Sequence, residues 1–174
     1  MKKLTKLAIV SALILSCLQT VMAQKTSRAE REAAKIAKVK ALIDAQNYVF
    51  EANYMIPQRG NSKSITFGYD MVVSKDTLTT YLPYYGQVTS PPTDATDGGI
   101  KLNTTNFSYE AKAAKKGGYE IIIKPKDNFY QGSKDVRYMR LQVSATGYAS
   151  LQVISNSRDQ ISFNGTIEAR KDKK

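Results

Sequence analysis

The chain has 174 residues, with 26 Lys plus Arg against 15 Asp plus Glu, no His, no Trp and a single Cys. Without His or a second Cys, it has no Ser-His-Asp triad, no Cys-His dyad, no zinc site of the usual nitrogen and sulfur ligands and no internal disulfide. We therefore expect a protein that is not an enzyme, with no catalytic residues, no bound metal and no cofactor. Its length suffices for one domain around one hydrophobic core.

The first 23 residues have the pattern of an export signal. Three lysines among the first six residues precede an apolar run at residues 7–18, which is too short for a permanent membrane helix. Signal peptidase accepts a small residue before the cut, so we predict cleavage between Ala23 and Gln24. The mature protein is then exported to the periplasm or secreted, and it has no transmembrane helix.

Cys17 offers a competing interpretation of the same segment. It follows Ser16 at the end of the apolar run, as in lipoprotein signals, although Leu15 is bulkier than such signals usually carry. Lipidation of Cys17 would anchor the protein to the outer membrane. Cleavage after Ala23 would instead remove three lysines and no acid, leave 151 of the 174 residues without any Cys, and lower the net charge from +11 to +8.

Residues 24–46 are predicted to form one amphipathic helix. Ser27 and Glu30 have the spacing of a capping box at its start. The apolar positions of this stretch fall on one stripe, made by Ala29, Ala33, Ile36 and Ile43. The helix either docks against the domain that follows or acts as a semi-rigid spacer.

From residue 47 the hydrophobic pattern changes to a period of two, which is typical of strands. In the first run the alternating residues of one face are Tyr48, Phe50, Ala52, Tyr54 and Ile56. We predict strands at residues 48–56, 64–73, 77–82, 107–113, 119–124, 136–145, 148–155 and 161–169. The turns between them are short, which favours antiparallel neighbours. The prediction is a mainly β domain at residues 47–169, an antiparallel meander that forms a sandwich or half-barrel. The pattern leaves the strand order open. A charged tail follows at residues 170–174.

Residues 83–99, with the sequence PYYGQVTSPPTDATDGG, form a long connection between strands. Long loops in compact domains are often functional, so we predict that this loop is the contact region of a binding domain. The candidate ligand-binding residues are Tyr84, Tyr85, Pro91, Asp94 and Asp97. The tyrosines with Pro91 suit an aromatic platform for a sugar ring or a peptide, or alternatively cover one end of the sheet. The two acids fit an Asp-Gly turn better than a calcium loop.

Eight basic side chains gather around the predicted hairpin at residues 107–124. They are Lys112, Lys115, Lys116, Lys124, Lys126, Lys134, Arg137 and Arg140. They support an alternative function, a structural envelope protein held to anionic lipid or glycan by a basic face, and they also fit lysines that guard exposed sheet edges. Because export makes nucleic acid an unexpected partner, the candidate partners are a glycan, a peptide or the envelope surface.

Asp76-Thr77-Leu78 resembles a three-residue acceptor for O-linked glycans in exported proteins of some Gram-negative bacteria. An acid precedes the hydroxyl of Thr77 and an apolar residue follows it, and a turn placement would make the hydroxyl accessible. The alternative is an Asp-Thr hairpin turn without a glycan.

Four segments together carry a family resemblance. They read NYVFEANYMIPQRGNSKSITFGYDMVVSKDTLTTYLPYYG, TDGGIKL, GYEIIIKPKD and GYASLQVISNSRDQISFNGTIE. Over about residues 47–168 the chain resembles the domain of unknown function 4251 family, although that family more often has a second Asn at position 157 and an aromatic residue near position 164. The resemblance implies a secreted or lipid-anchored protein of a Gram-negative gut-type bacterium, with a signal peptide, a short helical lead and a β-rich domain. It implies no activity, catalytic residue or ligand.

Overall fold

The structure, a computed structural model, describes residues 28–66, 68–89, 98–127 and 132–170. Several predictions concern residues outside these ranges. They are the export signal with Cys17, Ala23 and Gln24, the helix cap at Ser27, the loop residues Pro91, Asp94 and Asp97, and positions 171–174 of the charged tail.

Helix α1 spans the described residues 28–45 and docks through its second half. Val39 and Ile43 are buried, whereas Ile36 is 40% exposed. The predicted stripe is therefore wrong for Ala29, Ala33 and Ile36, because only the last turns of the helix reach the barrel. The helix ends in a Schellman motif, in which Asn47 donates its amide to Leu42 and Gln46 donates to Ile43, with Gln46 at a φ of 49°.

Ten strands follow the helix in chain order. They are β1 (Tyr48–Pro57), β2 (Lys63–Ser64), β3 (Asp70–Val73), β4 (Leu78–Leu82), β5 (Ile100–Thr104), β6 (Phe107–Ala113), β7 (Tyr119–Pro125), β8 (Tyr138–Val143), β9 (Tyr148–Ile154) and β10 (Ile161–Glu168). Two short 3-10 helices, Lys115–Gly117 and Gly132–Lys134, lie between β6 and β7 and between β7 and β8.

The strands form one sheet in the order β5-β4-β3-β1-β10-β9-β8-β7-β6, with β2 paired to β1. Each described pair of neighbouring strands is antiparallel, as the short turns predicted. Strand β1 lies between β3 and β10, so the first long strand pairs with the last one. The predicted antiparallel meander is confirmed, and the sheet curls into a nearly closed half-barrel.

The two edges of the sheet belong to one bent stretch of chain, residues 100–113. Its first part, β5, pairs with β4, and its second part, β6, pairs with β7. Polar contacts hold the bend between them: Thr104 Oγ1 donates to the Asp127 carboxylate, and Asn106 Nδ2 lies 3.3 Å from the same carboxylate. Bends of this kind let a strand leave one neighbour and join another. The sequence-based prediction did not include β5.

The interior of the half-barrel is filled by side chains from alternate positions along the strands. The largest fully buried side chains are Tyr48, Phe50, Phe163, Met71, Leu78, Leu82, Ile100, Leu102, Ile121, Ile123, Met139 and Leu141. The Tyr48 hydroxyl lies 3.4 Å from that of Tyr109 on β6. Burial, and then the neighbouring Tyr109, raise the pKa of Tyr48 well above its ordinary value, so this phenol stays neutral in the core.

A β-bulge in β1 changes which face of the strand is buried. Tyr48 and Phe50 are buried as predicted, but the register with β10 shifts between Ala52 and Tyr54. Beyond the shift Met55 is buried, whereas Tyr54 is 40% exposed. The predicted continuous face is therefore wrong after Ala52, because a bulge adds one residue to the strand.

The strand predicted at residues 64–73 is also wrong in part. The structure divides it into β2 (Lys63–Ser64) and β3 (Asp70–Val73). Gly68, in the segment between them, has a φ of 100°, a left-handed conformation that interrupts a strand. The two short strands lie along the same side of β1.

Candidate functional site

A groove opens beside the described start of the long loop. Six residues line it and enclose a volume of about 510 Å3: Arg59, Gly60, Tyr84, Tyr85, Gly86 and Gln87. Arg59 and Gly60 follow the end of β1, and the other four follow the end of β4. We call this concavity the Tyr85 groove.

Tyr84 anchors the loop to the barrel. Its ring packs against the core, and its hydroxyl lies 2.8 Å from the carbonyl oxygen of Gln87 and 3.2 Å from that of Asp159, so that it donates to one of them. Burial, and then the Asp159 carboxylate, raise the pKa of Tyr84, so the hydroxyl remains a donor. The guanidinium carbon of Arg158 lies 5.1 Å from the ring centroid. Tyr84 thus holds the described start of the loop to the barrel, and its role in ligand binding stays a prediction.

Tyr85 points away from the core and is 50% exposed. The ammonium of Lys63, on β2, lies 4.5 Å from its ring centroid, within the range of a cation–π interaction. A Cβ atom added to Gly60 would lie 3.5 Å from the ring, so the glycine packs closely beside it. The two adjacent tyrosines therefore have different roles: Tyr84 supports the loop, and Tyr85 is available for contact.

A turn at residues 157–159 holds both described ends of the long loop, and we call it the loop clamp. On the near side, Thr89 donates its amide to the Ser157 carbonyl at 2.8 Å, and the Asp159 amide donates to the Gln87 carbonyl at 3.1 Å. On the far side, Arg158 donates to the carbonyl of Gly99 at 2.6 Å. The long loop is therefore fixed where it leaves the barrel and where it returns.

Asp135, which carries no signal of its own in the local sequence, holds the first residue of the loop clamp from the protein interior. The residue is 1% exposed, and its carboxylate accepts bonds from the amide and hydroxyl of Ser157 and from the amide and side chain of Asn156, at 2.6–3.1 Å. Burial alone would raise the pKa of Asp135, but these hydrogen bonds outweigh it and lower the pKa. The available sequence signal was the family-like segment at residues 155–158, which contains the donors.

A second aromatic pair consists of Tyr81 on β4 and Tyr69, the residue before β3. Tyr81, 49% exposed, stacks on Tyr69 with ring centroids 5.5 Å apart. The ammonium of Lys101, on β5, lies 5.9 Å from the Tyr81 centroid. Three of the described tyrosines in this part of the sheet therefore have a basic side chain over the ring.

The predicted basic face is divided in the structure. Lys112 pairs with Glu110 at 2.9 Å, and Arg140 pairs with Glu120 at 3.5 Å. The hydrogen bond between Lys112 and Glu110 raises the pKa of Lys112 and lowers that of Glu110. Of the remaining basic residues, Lys115 and Lys116 lie in the β6–β7 turn and Lys124 and Lys126 at the other end of that hairpin, whereas Lys134 and Arg137 lie between β7 and β8. The structure does not gather the eight into one uncompensated surface.

Thr77 lies in the turn between β3 and β4 and is partly exposed. Its hydroxyl lies 3.3 Å from the Asp76 carboxylate, and its amide donates to the Ser74 hydroxyl at 3.1 Å. Both the O-glycan acceptor and the plain turn are compatible with this placement, so the glycan stays a prediction.

A larger concavity of about 720 Å3, as open as the Tyr85 groove, lies on the outer face of β7–β10. Glu120, Gln142, Ser150 and Asn164 lie directly opposite one another on successive strands there. Tyr148, at its edge, is 71% exposed. Strands β7–β10 form this surface together with the β6–β7 and β8–β9 turns, and it includes no part of the long loop.

Within the described residues, no group of three or more His, Cys, Asp or Glu side chains is placed to hold a metal ion. The same residues include no helix that is long and apolar enough to cross a membrane. The groove itself offers one guanidinium, two tyrosine rings and a side-chain amide, a set suited to binding a ligand.

A family model described as a domain of unknown function, DUF4251, matches residues 30–167 of the chain. The chain is also similar to a solved structure, the crystal structure of a DUF4251 family protein from Bacteroides eggerthii DSM 20697, with 17% sequence identity and a TM-score of 0.57. That similarity covers 79% of this chain and 91% of the other, and at this identity it supports the fold alone. No curated protein matches the chain.

Proposed function

The chain belongs to the DUF4251 family, and we propose that it is an exported, non-enzymatic binding domain whose contact region is the Tyr85 groove with the long loop beside it. The export signal predicted at residues 1–23 supports a place in the periplasm or outside the cell. Mass spectrometry of the protein from its native envelope tests this location. A start at Gln24 fits the proposal, a lipidated start at Cys17 replaces it with a membrane-anchored domain, and an uncleaved chain contradicts it.

The observation that carries the binding proposal is the half-exposed Tyr85 beside a described backbone that Tyr84 and the loop clamp hold in place. Tyrosine provides a large amphipathic contact surface, and tyrosines are enriched among the residues that dominate binding energies. The loop clamp and Tyr84 hold the neighbouring backbone, so little conformational entropy is lost when a ligand binds. An exposed aromatic side chain on a rigid support is thus suited to recognition.

The lining of the groove also favours binding over catalysis. Its described residues supply a guanidinium, tyrosine rings and an amide, whereas general acid–base catalysis needs a group that titrates near the working pH. The nearest described carboxylate, Asp159, accepts a bond from the Gln87 amide at 3.3 Å and supports the loop.

Substitution of Tyr85 by Ala tests the contact region. We expect the variant to keep its fold, because the ring is half-exposed, and to lose about tenfold or more in affinity for any ligand retained from a panel of immobilised oligosaccharides and peptides. Tyr148→Ala is the matched control, since Tyr148 is a still more exposed tyrosine outside the groove. Retention that is unchanged in Tyr85→Ala, or lost equally in Tyr148→Ala, would refute the assignment.

Tyr84 is unsuitable for this test. Because its ring packs against the core and its hydroxyl bonds to the loop backbone, Tyr84→Ala should lower the stability of the domain and loosen the loop together. Circular dichroism and thermal unfolding of each variant separate a lost contact from a lost fold.

A further inference from the structure

We propose that the ligand of the Tyr85 groove is an oligosaccharide that carries carboxylate groups. This inference rests on the proposed function, because it names the ligand class of the same contact region. It follows from what covers the tyrosine rings, from the charges beside the groove and from the shape of the site.

In this region, basic side chains lie over the tyrosine rings in cation–π contacts. Lys63 lies over Tyr85 at 4.5 Å, and Arg158 lies over Tyr84 at 5.1 Å. A ring face covered by an ammonium is not free for a neutral sugar to stack on it. Instead, the ring holds the ammonium at a defined place beside the groove, where a ligand anion can pair with it.

Arg59 adds a second, oriented cation to the wall of the groove. One guanidinium nitrogen donates to Gln87 Oε1 at 2.8 Å, and its Nε lies 3.9 Å from the Asp159 carboxylate. The side chain is nevertheless 65% exposed. A guanidinium has five N–H donors in a planar fork that matches a carboxylate, so these contacts orient Arg59 and leave donors for a ligand.

The charges of the groove and the loop clamp do not cancel. Arg59, Lys63 and Arg158 are positive, and Asp159 is the one negative group among the described residues that contact them. The side chain of Asp159 is only 19% exposed and lies behind the loop. A ligand in the groove therefore meets a net positive potential, which favours an anion.

The shape and the neutral groups favour a saccharide over the two other anionic partners. Three cations lie around one open groove, whereas a bilayer surface is flat and is met by a broad basic face. An acidic peptide binds well when it can extend a sheet edge. Here the backbone of Val88 is already paired with Arg158 in a β-bridge. The Gln87 amide and the Tyr85 hydroxyl are suited to sugar hydroxyls beside the carboxylates.

Calorimetric titration with a galacturonic acid tetramer, and with its fully methyl-esterified form, tests the inference. The two probes share one sugar chain and differ in charge. We expect the acid to bind more tightly than the ester, and its affinity to fall with added salt because the cations are exposed. Lys63→Gln should lower the affinity for the acid by about two- to fivefold and leave the affinity for the ester unchanged.

Two further variants serve as controls. Lys63→Arg keeps the charge over the Tyr85 ring and should retain the affinity for the acid. Lys75→Gln removes an exposed lysine from the turn between β3 and β4, away from the groove, and should have no effect. A loss in Lys75→Gln equal to that in Lys63→Gln would mean nonspecific attraction to net charge and would overturn the inference.

The remaining outcomes separate the two proposals. Equal binding of acid and ester that Tyr85→Ala abolishes would overturn the carboxylate inference and keep the contact region. Binding to phosphatidylglycerol vesicles that depends on Lys63, without binding of the tetramer, would replace the saccharide with a lipid surface. If neither probe binds, the carboxylate inference is overturned and the contact region is not. If other ligands are retained and Tyr85→Ala does not change their retention, the contact region is overturned as well.

Discussion

At the scale of single residues, Asp135 shows how a buried carboxylate can shape a surface site that it does not touch. The carboxylate is almost fully buried and accepts four hydrogen bonds, two from Ser157, the first residue of the loop clamp, and two from Asn156 just before it. Hydrogen bonds to a charged acceptor are stronger than those between neutral groups. The position of the long loop therefore depends on one acid in the interior.

Asp135→Asn should lower the free energy of unfolding by about 2–3 kcal/mol at pH 7, because the amide carries one acceptor and points two N–H donors at groups that are themselves donors. Asp76→Asn is the control: Asp76 is exposed, and its replacement should change stability by about 0.5 kcal/mol or less. Urea unfolding of both variants measures the difference. Equal stability of Asp135→Asn and the parent protein would contradict the role assigned to Asp135.

The pKa of Asp135 also predicts a dependence on pH. Its folded pKa is lower than the ordinary value of 3.8, so its contribution to stability is complete above that value and is lost as the pH falls through the folded pKa. The parent protein should thus lose stability below about pH 4 more steeply than Asp135→Asn. Parallel curves of unfolding free energy against pH for the two proteins would contradict this.

Asp135 was not predictable from local sequence. It stands in Lys134-Asp135-Val136, where nothing distinguishes it from a solvated acid, and its four donors come from residues 21 and 22 positions further along the chain. Tyr84 and Tyr85 were found because they stand in an unusual loop. Their division into an anchor and an exposed contact depends on Gln87, on Asp159 and on Lys63, which only the fold brings together.

At the scale of elements, the bulge in β1 and Gly165 on β10 act together where the backbones of the two strands come close. Gly165 on β10 pairs with Ala52, next to the register shift, and a Cβ atom at position 165 would lie 1.9 Å from the carbonyl oxygen of Glu51. The two backbones approach this closely only because Gly165 has no side chain. The bulge in turn moves Tyr54 to the outside and Met55 to the inside.

Gly165→Ala should therefore lower the free energy of unfolding by about 2–3 kcal/mol, since the strands must separate to admit a methyl group. Gly98→Ala is the matched control, because a Cβ atom there would meet nothing within 4 Å. It should be neutral or slightly stabilising. Thermal unfolding of the two variants compares them, and a stable Gly165→Ala would show that β1 can change its register without cost.

The strand pattern was largely readable at this scale, and its failures have physical reasons. The predicted strand at residues 107–113 coincides with β6, because apolar and polar residues alternate along it without a break. Strand β5 was missed although Ile100, Leu102 and Thr104 alternate, since five residues between a long loop and a bend give a weak signal. The face change after Ala52 leaves the period of two intact in the sequence and depends on pairing with β10.

At the scale of the whole molecule, the half-barrel combines a strongly paired centre with a thin edge. Strand β1 has neighbours on both sides and a buried face, whereas the last four residues of β6 are exposed. Regions with few buried contacts open with a lower free energy than the core. The strand order itself was not predictable, since the pairing of β1 with β10 joins residues more than 100 positions apart.

Hydrogen exchange should reveal this gradient. Amides in peptides covering residues 107–113 should exchange at least about tenfold faster than those covering residues 161–168. Within α1, residues 28–36 should exchange faster than residues 39–45, because only the second half of the helix is docked. Uniform protection of the edge and the centre, measured by mass spectrometry, would contradict a sheet that is weaker at β6.

The loop clamp has a consequence for how this scaffold can change. Because Thr89 and Gly99 are each fixed by the same turn, the positions between them are tethered at two points that belong to the barrel. Loops are the parts of a domain that best tolerate insertions and substitutions. The two fixed points, Thr89 and Gly99, therefore define where a new recognition sequence could be grafted while the barrel residues that hold it stay unchanged.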